Sequence, residues 1–205
     1  AKEIERTRTL YRHSMLATDF VLQGAVGVLQ QVLDGELRLD RTIEVSVTNT
    51  TEKRKIMRRL GPNLRTLQEL LERNRRDFRI AISSRAAERD RREAWASLVR
   101  RRNRAVRLIE ELNLRTNRLQ PLYAKLVEVS LRMDALKTQI REAQQGQSNS
   151  GQNLDELSEE LHYLMRITFE SPYTLHRRVR TTAEYREAYD AAKRRLSAGN
   201  LRLVV

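Results

Sequence analysis

Three histidines, His13, His162 and His176, are the only imidazoles in this chain of 205 residues. They lie far apart and no HxxxH pair occurs, so no single helix turn presents two of them to a metal ion. Only a site assembled in three dimensions would bring them together; satisfied or solvent-facing imidazoles are the simpler expectation. Cysteine is absent, which removes thiolate ligands, thiol nucleophiles and disulfides at once. Glu160 stands two residues from His162, and side chains at that spacing on a helix do not face each other. The carboxylate pairs Glu110-Glu111 and Glu159-Glu160 read as solvated faces. GxGxxG, Walker and GxSxG patterns are all missing. The expectation is a protein that is not an enzyme and that needs no cofactor and no metal.

The basic side is richer. RRRNRAVR, residues 100–107, places Arg100, Arg104 and Arg107 at i, i+4 and i+7, which is one ridge of a helix. Such a ridge can follow a phosphate backbone, and its binding would weaken steeply with salt. The simpler reading is a solvated face neutralised by the flanking Glu88, Asp90, Glu93, Glu110 and Glu111. RNRRDFR, residues 73–79, stands open to the same two readings. Tyr185 and Tyr189 could stack on bases. Ala192 and Leu196 continue the same stripe, which favours a place in the core.

Lys and Arg total 40 against 27 Asp and Glu, a formal charge of +13 with pI near 10.8. That excess points to a polyanionic partner and says nothing of fold. Hydrophobic residues make up 40% and charged residues 33%, with only 7 Gly and 3 Pro, the composition of long helices. No run approaches the roughly 18 apolar residues of a membrane span, and no signal peptide is legible. A cytoplasmic protein with no membrane partner and no small-molecule substrate is expected. The opening AKEIERTR reads as mid-helix, as in a piece cut from a longer protein.

Periodicity predicts an all-α fold, a mostly antiparallel multi-helix bundle with long amphipathic helices. The first helix carries Leu10, Ala17, Val21, Gly24, Val28 and Val32 on one stripe and stops at Asp34-Gly35. Gly24 and Gly27 leave room for another helix to approach closely. IEVSV, residues 43–47, is an extended connection. Thr50 or Thr51 caps a helix that Gly61-Pro62 breaks, and a new helix starts near Pro62. A Ser cap with Glu88 in a capping box opens the next, and Asn117 caps the one after. QQGQSNSGQN, residues 144–153, is the flexible tip between two helices. After Ser171-Pro172 a last helix is expected from Thr181-Thr182, ending at Gly199-Asn200.

The final stretch is more specific than its physics. EAYDAAKRRLSAGNLRLVV resembles the opening of the core-binding and promoter-melting region of primary sigma factors of bacterial RNA polymerase. In that family an Ala-Lys-rich helix leads into Asn-Leu-Arg-Leu-Val; Ala191, Ala192, Lys193, Asn200, Leu201, Arg202, Leu203 and Val204 match. AKEIERTR is similar to the end of the family's preceding conserved region through Ala1, Lys2, Ile4 and Glu5, and LDELSEELHYLM to the end of its non-conserved insert. The resemblance implies three parts: residues 1–35 continuing from the preceding conserved region, 36–180 a helical insert, and 181–205 the start of the core-binding region. It implies as partners the polymerase core, at its β′ clamp, and the non-template strand of promoter DNA at the melted −10 element. Asn200, Leu203 and Arg202 would then contact nucleic acid, and Leu201 and Val204 polymerase. Arg100, Arg104 and Arg107 remain possible phosphate or polymerase contacts. The helices at the two ends should pack side by side. The alternative is a free-standing basic helical scaffold or RNA-binding bundle.

Overall fold

The computed structural model describes residues 2–46, 48–145 and 153–202, the last four of these by backbone alone. Among the described residues eight helices make up the fold and there is no strand. They are α1 (Lys2–Leu16), α2 (Asp19–Leu33), α3 (Leu39–Thr42), α4 (Thr50–Ala81), α5 (Glu88–Glu110), α6 (Thr116–Gln144), α7 (Leu154–Thr168) and α8 (Pro172–Arg202). The extended 43–46 segment makes a single antiparallel bridge, Ile43 to Leu114.

The expected first helix is two helices meeting at 98°. Thr18 is extended at φ −129° and ψ 138°. The turn delivers Asp19 to the interior at the start of α2, where a helix N-terminus favours negative charge. The expected stop holds: Asp34 caps α2 and Gly35 takes φ +81°, the left-handed geometry that glycine adopts without strain.

Gly61-Pro62 does not break the chain. α4 runs straight through Pro62 for 32 residues, capped at its start by the Asn49 side chain, which accepts from the Glu52 N–H at 3.0 Å, and not by Thr50 or Thr51. Ile56, Leu60, Leu64, Leu67 and Leu71 are all buried on one stripe spanning the proline, so packing outweighs the roughly 3 kcal/mol that proline costs inside a helix. The expected Ser cap of α5 is absent: Ala87 occupies that position with no side-chain bond, and Glu88 pairs with Arg92 instead. Arg115, not Asn117, precedes α6.

α8 starts at Pro172, nine residues before Thr181. Ser171 and Thr174 cap it reciprocally, the Thr174 N–H donating to Ser171 Oγ at 3.2 Å and the Ser171 N–H to Thr174 Oγ1 at 3.0 Å. Pro172 fits the first helical position, where its missing N–H would have no partner anyway. The helix continues past Gly199-Asn200 to Arg202, so those two residues do not stop it. Residue 181 therefore lies inside a continuous helix. Of the expected 144–153 tip, residues 146–152 lie outside the described residues.

α4 and α5 pack antiparallel over their length, with Asn63 reaching the Leu108 carbonyl and Arg101 reaching Asn74. α1 and α8 form the second antiparallel pair: Glu3 meets Arg195 at 2.8 Å, and the Tyr11 and Tyr189 rings stack with centroids 6.2 Å apart. α2 lies between these layers and sets Met15, Leu22, Leu29, Leu67, Ile109 and Leu126 into one core. Each such side chain contributes about 1.5–3 kcal/mol by leaving water. Gly24 does admit a close neighbour, since a Cβ there would lie 2.5 Å from Leu122 Cδ2. Gly27 faces open space. A smaller cluster of Phe78, Leu98 and Phe169, with Trp95 alongside, closes the far end of the α4–α5 pair.

Candidate phosphate-binding face

Arg100, Arg104 and Arg107 all project from the exposed face of α5. Arg100 donates to Ser97 Oγ at 2.9 Å, while Arg104 and Arg107 make no ion pair among the described residues. The acids nearest in sequence face elsewhere. Glu110 holds Arg12 at 2.9 Å, Glu88 holds Arg92, and Glu111 accepts from Asn63. The ridge is thus a positive stripe for which Glu88, Glu110 and Glu111 are already partnered, while Asp90 and Glu93 are exposed and make no ion pair among the described residues.

The other two members of the RRR run behave differently. Arg101 binds Asp77 and donates to Asn74 Oδ1 at 2.8 Å. Arg102 is 1% exposed and is the largest fully buried side chain. It reaches Asp19 through Nε, Glu170 through Nη1 at 2.7 Å, and the Phe169 carbonyl through Nη2 at 2.8 Å. Asn74 also donates to Asp19, at 2.6 Å, and Arg178 pairs with Glu170 at 2.8 Å. Two cations thus balance two wholly buried carboxylates, joining α2, α4, α5 and α8. A low-dielectric interior tolerates charges only when they are so paired. Sequence reasoning missed this network. Its signal was present, because Ala94, Leu98, Arg102, Ala105 and Ile109 share one buried stripe and Arg102 fills an apolar position.

The network braces a cleft of roughly 590 Å³ between α1, α5 and α8. Arg107, Arg177 and Arg178 line it together with His13. Hydroxyls of Ser14, Thr181, Thr182 and Tyr185 and the Asn103 amide complete a polar wall. Burial pushes the Arg178 pKa below the usual arginine value, and the Glu170 carboxylate opposes that shift. Guanidinium remains charged across the accessible pH range. Arg178 is held by Glu170, which leaves the guanidinium groups of Arg107 and Arg177, with several hydroxyls, to suit a phosphoryl oxygen. Arg107 belongs both to the ridge and to the cleft, so the stripe on α5 leads into the cleft.

His13 Nε2 lies 3.7 Å from Glu110 and His176 Nδ1 lies 2.8 Å from Asp134, while His162 is exposed. No group of three metal-ligating side chains occurs among the described residues. The 73–79 run is divided between pairs: Arg73 with Glu69, Arg75 and Arg76 with Glu72, and Asp77 with Arg101. Tyr185 and Tyr189 pack against the core, and Lys193 sits 4.5 Å from the Tyr189 ring centre. Leu196, expected on the same stripe, is 46% exposed. Asn200, Leu201 and Arg202 are helical in backbone, and Leu203 and Val204 lie outside the described residues. No single helix is long and apolar enough to cross a membrane among the described residues. Neither a protein-family model nor a curated protein sequence matches this chain.

Proposed function

We propose that this chain is part of a primary sigma factor of bacterial RNA polymerase, carrying a helical insert between two stretches of conserved sequence. The antiparallel pairing of α1 with α8 is the observation that carries this reading. It lays the AKEIERTR segment beside the helix that bears EAYDAAKRRLSAGN, with Glu3 against Arg195. A large insert can leave its two flanks working as one unit only if it starts and ends at the same place, and this pairing supports that condition.

In this reading the protein is cytoplasmic and not an enzyme. Its partners are the polymerase core, at the β′ clamp, and the non-template strand of the melted −10 element. Asn200 suits a flipped base because an amide both donates and accepts, and Leu203 suits the apolar part of the same base. Arg202 would meet the adjoining phosphate, and Leu201 and Val204 would face polymerase. The α5 ridge would lie on the outside of the assembly, where Arg104 and Arg107 can reach upstream DNA.

The test is reconstitution of the full-length protein with core polymerase and promoter DNA, with strand opening read by permanganate reactivity of −10 thymines. Association with core and opening are expected, and Asn200→Ala should shorten the open-complex lifetime about tenfold, the scale of one lost buried hydrogen-bond partner. Failure of the full-length protein to associate with core refutes the reading. The alternative, a free-standing basic scaffold or RNA-binding bundle, rests on the unpaired Arg104 and Arg107 beside the α1–α5–α8 cleft. Tight, salt-steep binding of RNA by residues 1–205 alone would favour it, with Arg104→Gln/Arg107→Gln lowering the salt slope by about two.

A further inference from the structure

We propose that a second cleft, between α2, α4, α6 and α7, binds a small amphiphilic anion, a molecule with one anionic head and an apolar body. The cleft holds roughly 600 Å³, within the range of small-molecule sites. Its floor is apolar: Phe20, Leu122 and Ile167 are half-buried there, over the stacked rings of Phe78 and Phe169, whose centroids are 5.6 Å apart. Its rim is cationic: Arg75, Arg79, Lys125 and Arg166 are all exposed around it. No carboxylate lines the cleft. Arg75 leans to Glu72 at 3.4 Å, and the other three make no ion pair among the described residues.

Each half of this arrangement calls for half of the ligand. Like charges held around one opening repel, and an anionic head relieves that repulsion while gaining charge-assisted hydrogen bonds. A bare ion would leave the apolar floor wet, so an apolar body must accompany the head. The α1–α5–α8 cleft has several hydroxyls in its wall, whereas this one has the rings of Phe20, Phe78 and Phe169 and no hydroxyl, and each holds one side-chain amide, Asn103 there and Gln23 here. The wall is also fixed before any ligand arrives. Phe169 sits in the left-handed region at φ +52°, and its carbonyl accepts from the buried Arg102 at 2.8 Å. Gly24 shapes the opposite side, since any side chain there would displace Leu122 from the floor. A preformed site loses less to ordering on binding.

The site is independent of the sigma reading and is tested on the 205-residue chain by calorimetry with three probes: octyl phosphate, inorganic phosphate and 1-octanol. Octyl phosphate should saturate one site and bind at least about tenfold tighter than either half alone. Arg79→Gln/Arg166→Gln should weaken octyl phosphate about tenfold and leave 1-octanol unchanged. Lys125→Gln should act in the same direction. Arg89→Gln, exposed on α5 and outside the cleft, should change binding less than about twofold. Thermal melts verify that each variant is folded. Equal binding of all three probes, or an equal loss with Arg89→Gln, overturns the proposal. So does binding that survives Arg79→Gln/Arg166→Gln but falls with Arg107→Gln, which would place the ligand in the α1–α5–α8 cleft.

Discussion

Replacing Arg102 with Met keeps an unbranched apolar stem and removes the guanidinium charge from the centre of the molecule. The network then holds Asp19 and Glu170, both 0% exposed, against Arg178 alone. Asp19 keeps one neutral donor, Asn74 at 2.6 Å, and the Phe169 carbonyl loses the Arg102 guanidinium. Breaking a buried pair in this way costs about 3–5 kcal/mol, because a carboxylate is stranded away from water. Against a total stability of about 10–15 kcal/mol that is roughly a third. It corresponds to a fall in melting temperature of about 6–20 °C for a chain of this size. Urea titration followed by far-ultraviolet circular dichroism should show a lower midpoint at unchanged slope. Trp95, the sole tryptophan, has its ring centre 5.5 Å from the Arg102 guanidinium and reports the same change locally by fluorescence. The decisive arm is Asp19→Asn/Arg102→Met. It deletes one charge of each sign and leaves Glu170 with Arg178, so it should recover more than half of the loss. A cost below about 1 kcal/mol for Arg102→Met, or no recovery in the double variant, would refute a closed, charge-balanced interior.

Four further outcomes follow from the packing. Gly27→Ala should stabilise by about 0.5–1 kcal/mol, since nothing lies near an added Cβ. Gly24→Ala should fall short of that by about 1 kcal/mol, because Leu122 must swing aside, and Leu122→Ala should erase the difference in paired denaturation curves. Pro62→Ala should stabilise by about 1–3 kcal/mol in thermal denaturation, restoring an N–H to an exposed stretch of α4 that is already helical. Burial raises the Tyr123 phenol above its ordinary value, while its hydroxyl donates to the Val179 carbonyl at 3.0 Å. A raised folded pKa is a contribution fully present below about pH 10 and lost as pH climbs through the folded value. Tyr123→Phe should therefore flatten the alkaline end of the stability–pH curve, and an unchanged slope above about pH 10 would contradict this.

The helical class and most buried stripes were legible because period-3.6 spacing of Leu, Val and Ile survives any detail of capping. Where expectation failed, a charged or cyclic residue was judged by its usual behaviour. Asp19 was passed over inside an apolar run, although Thr-Asp is ordinary helix-start chemistry, and so the bend before it went unseen. Pro62 reads as a breaker because propensity is local, while the packing of the buried leucines on both sides of it is not. Arg102 lies off the Arg100–Arg104–Arg107 ridge, and its place in the buried stripe of α5 marks it as interior. The α5 ridge was legible from spacing alone. The two clefts were not, because each gathers side chains from three or four helices whose crossing no local pattern encodes.

The antiparallel seam between α1 and α8 also has a mechanical meaning. Glu3 and Arg195 are joined across 192 positions of chain, so load applied to these two helices at that end does not stretch the body between them. It opens the seam one rung at a time, first Glu3 from Arg195, then Tyr11 from Tyr189, as a zipper parts at low force. The seam is also tied to the body, since Arg12 of α1 pairs with Glu110 of α5 and Tyr123 of α6 donates to the Val179 carbonyl of α8.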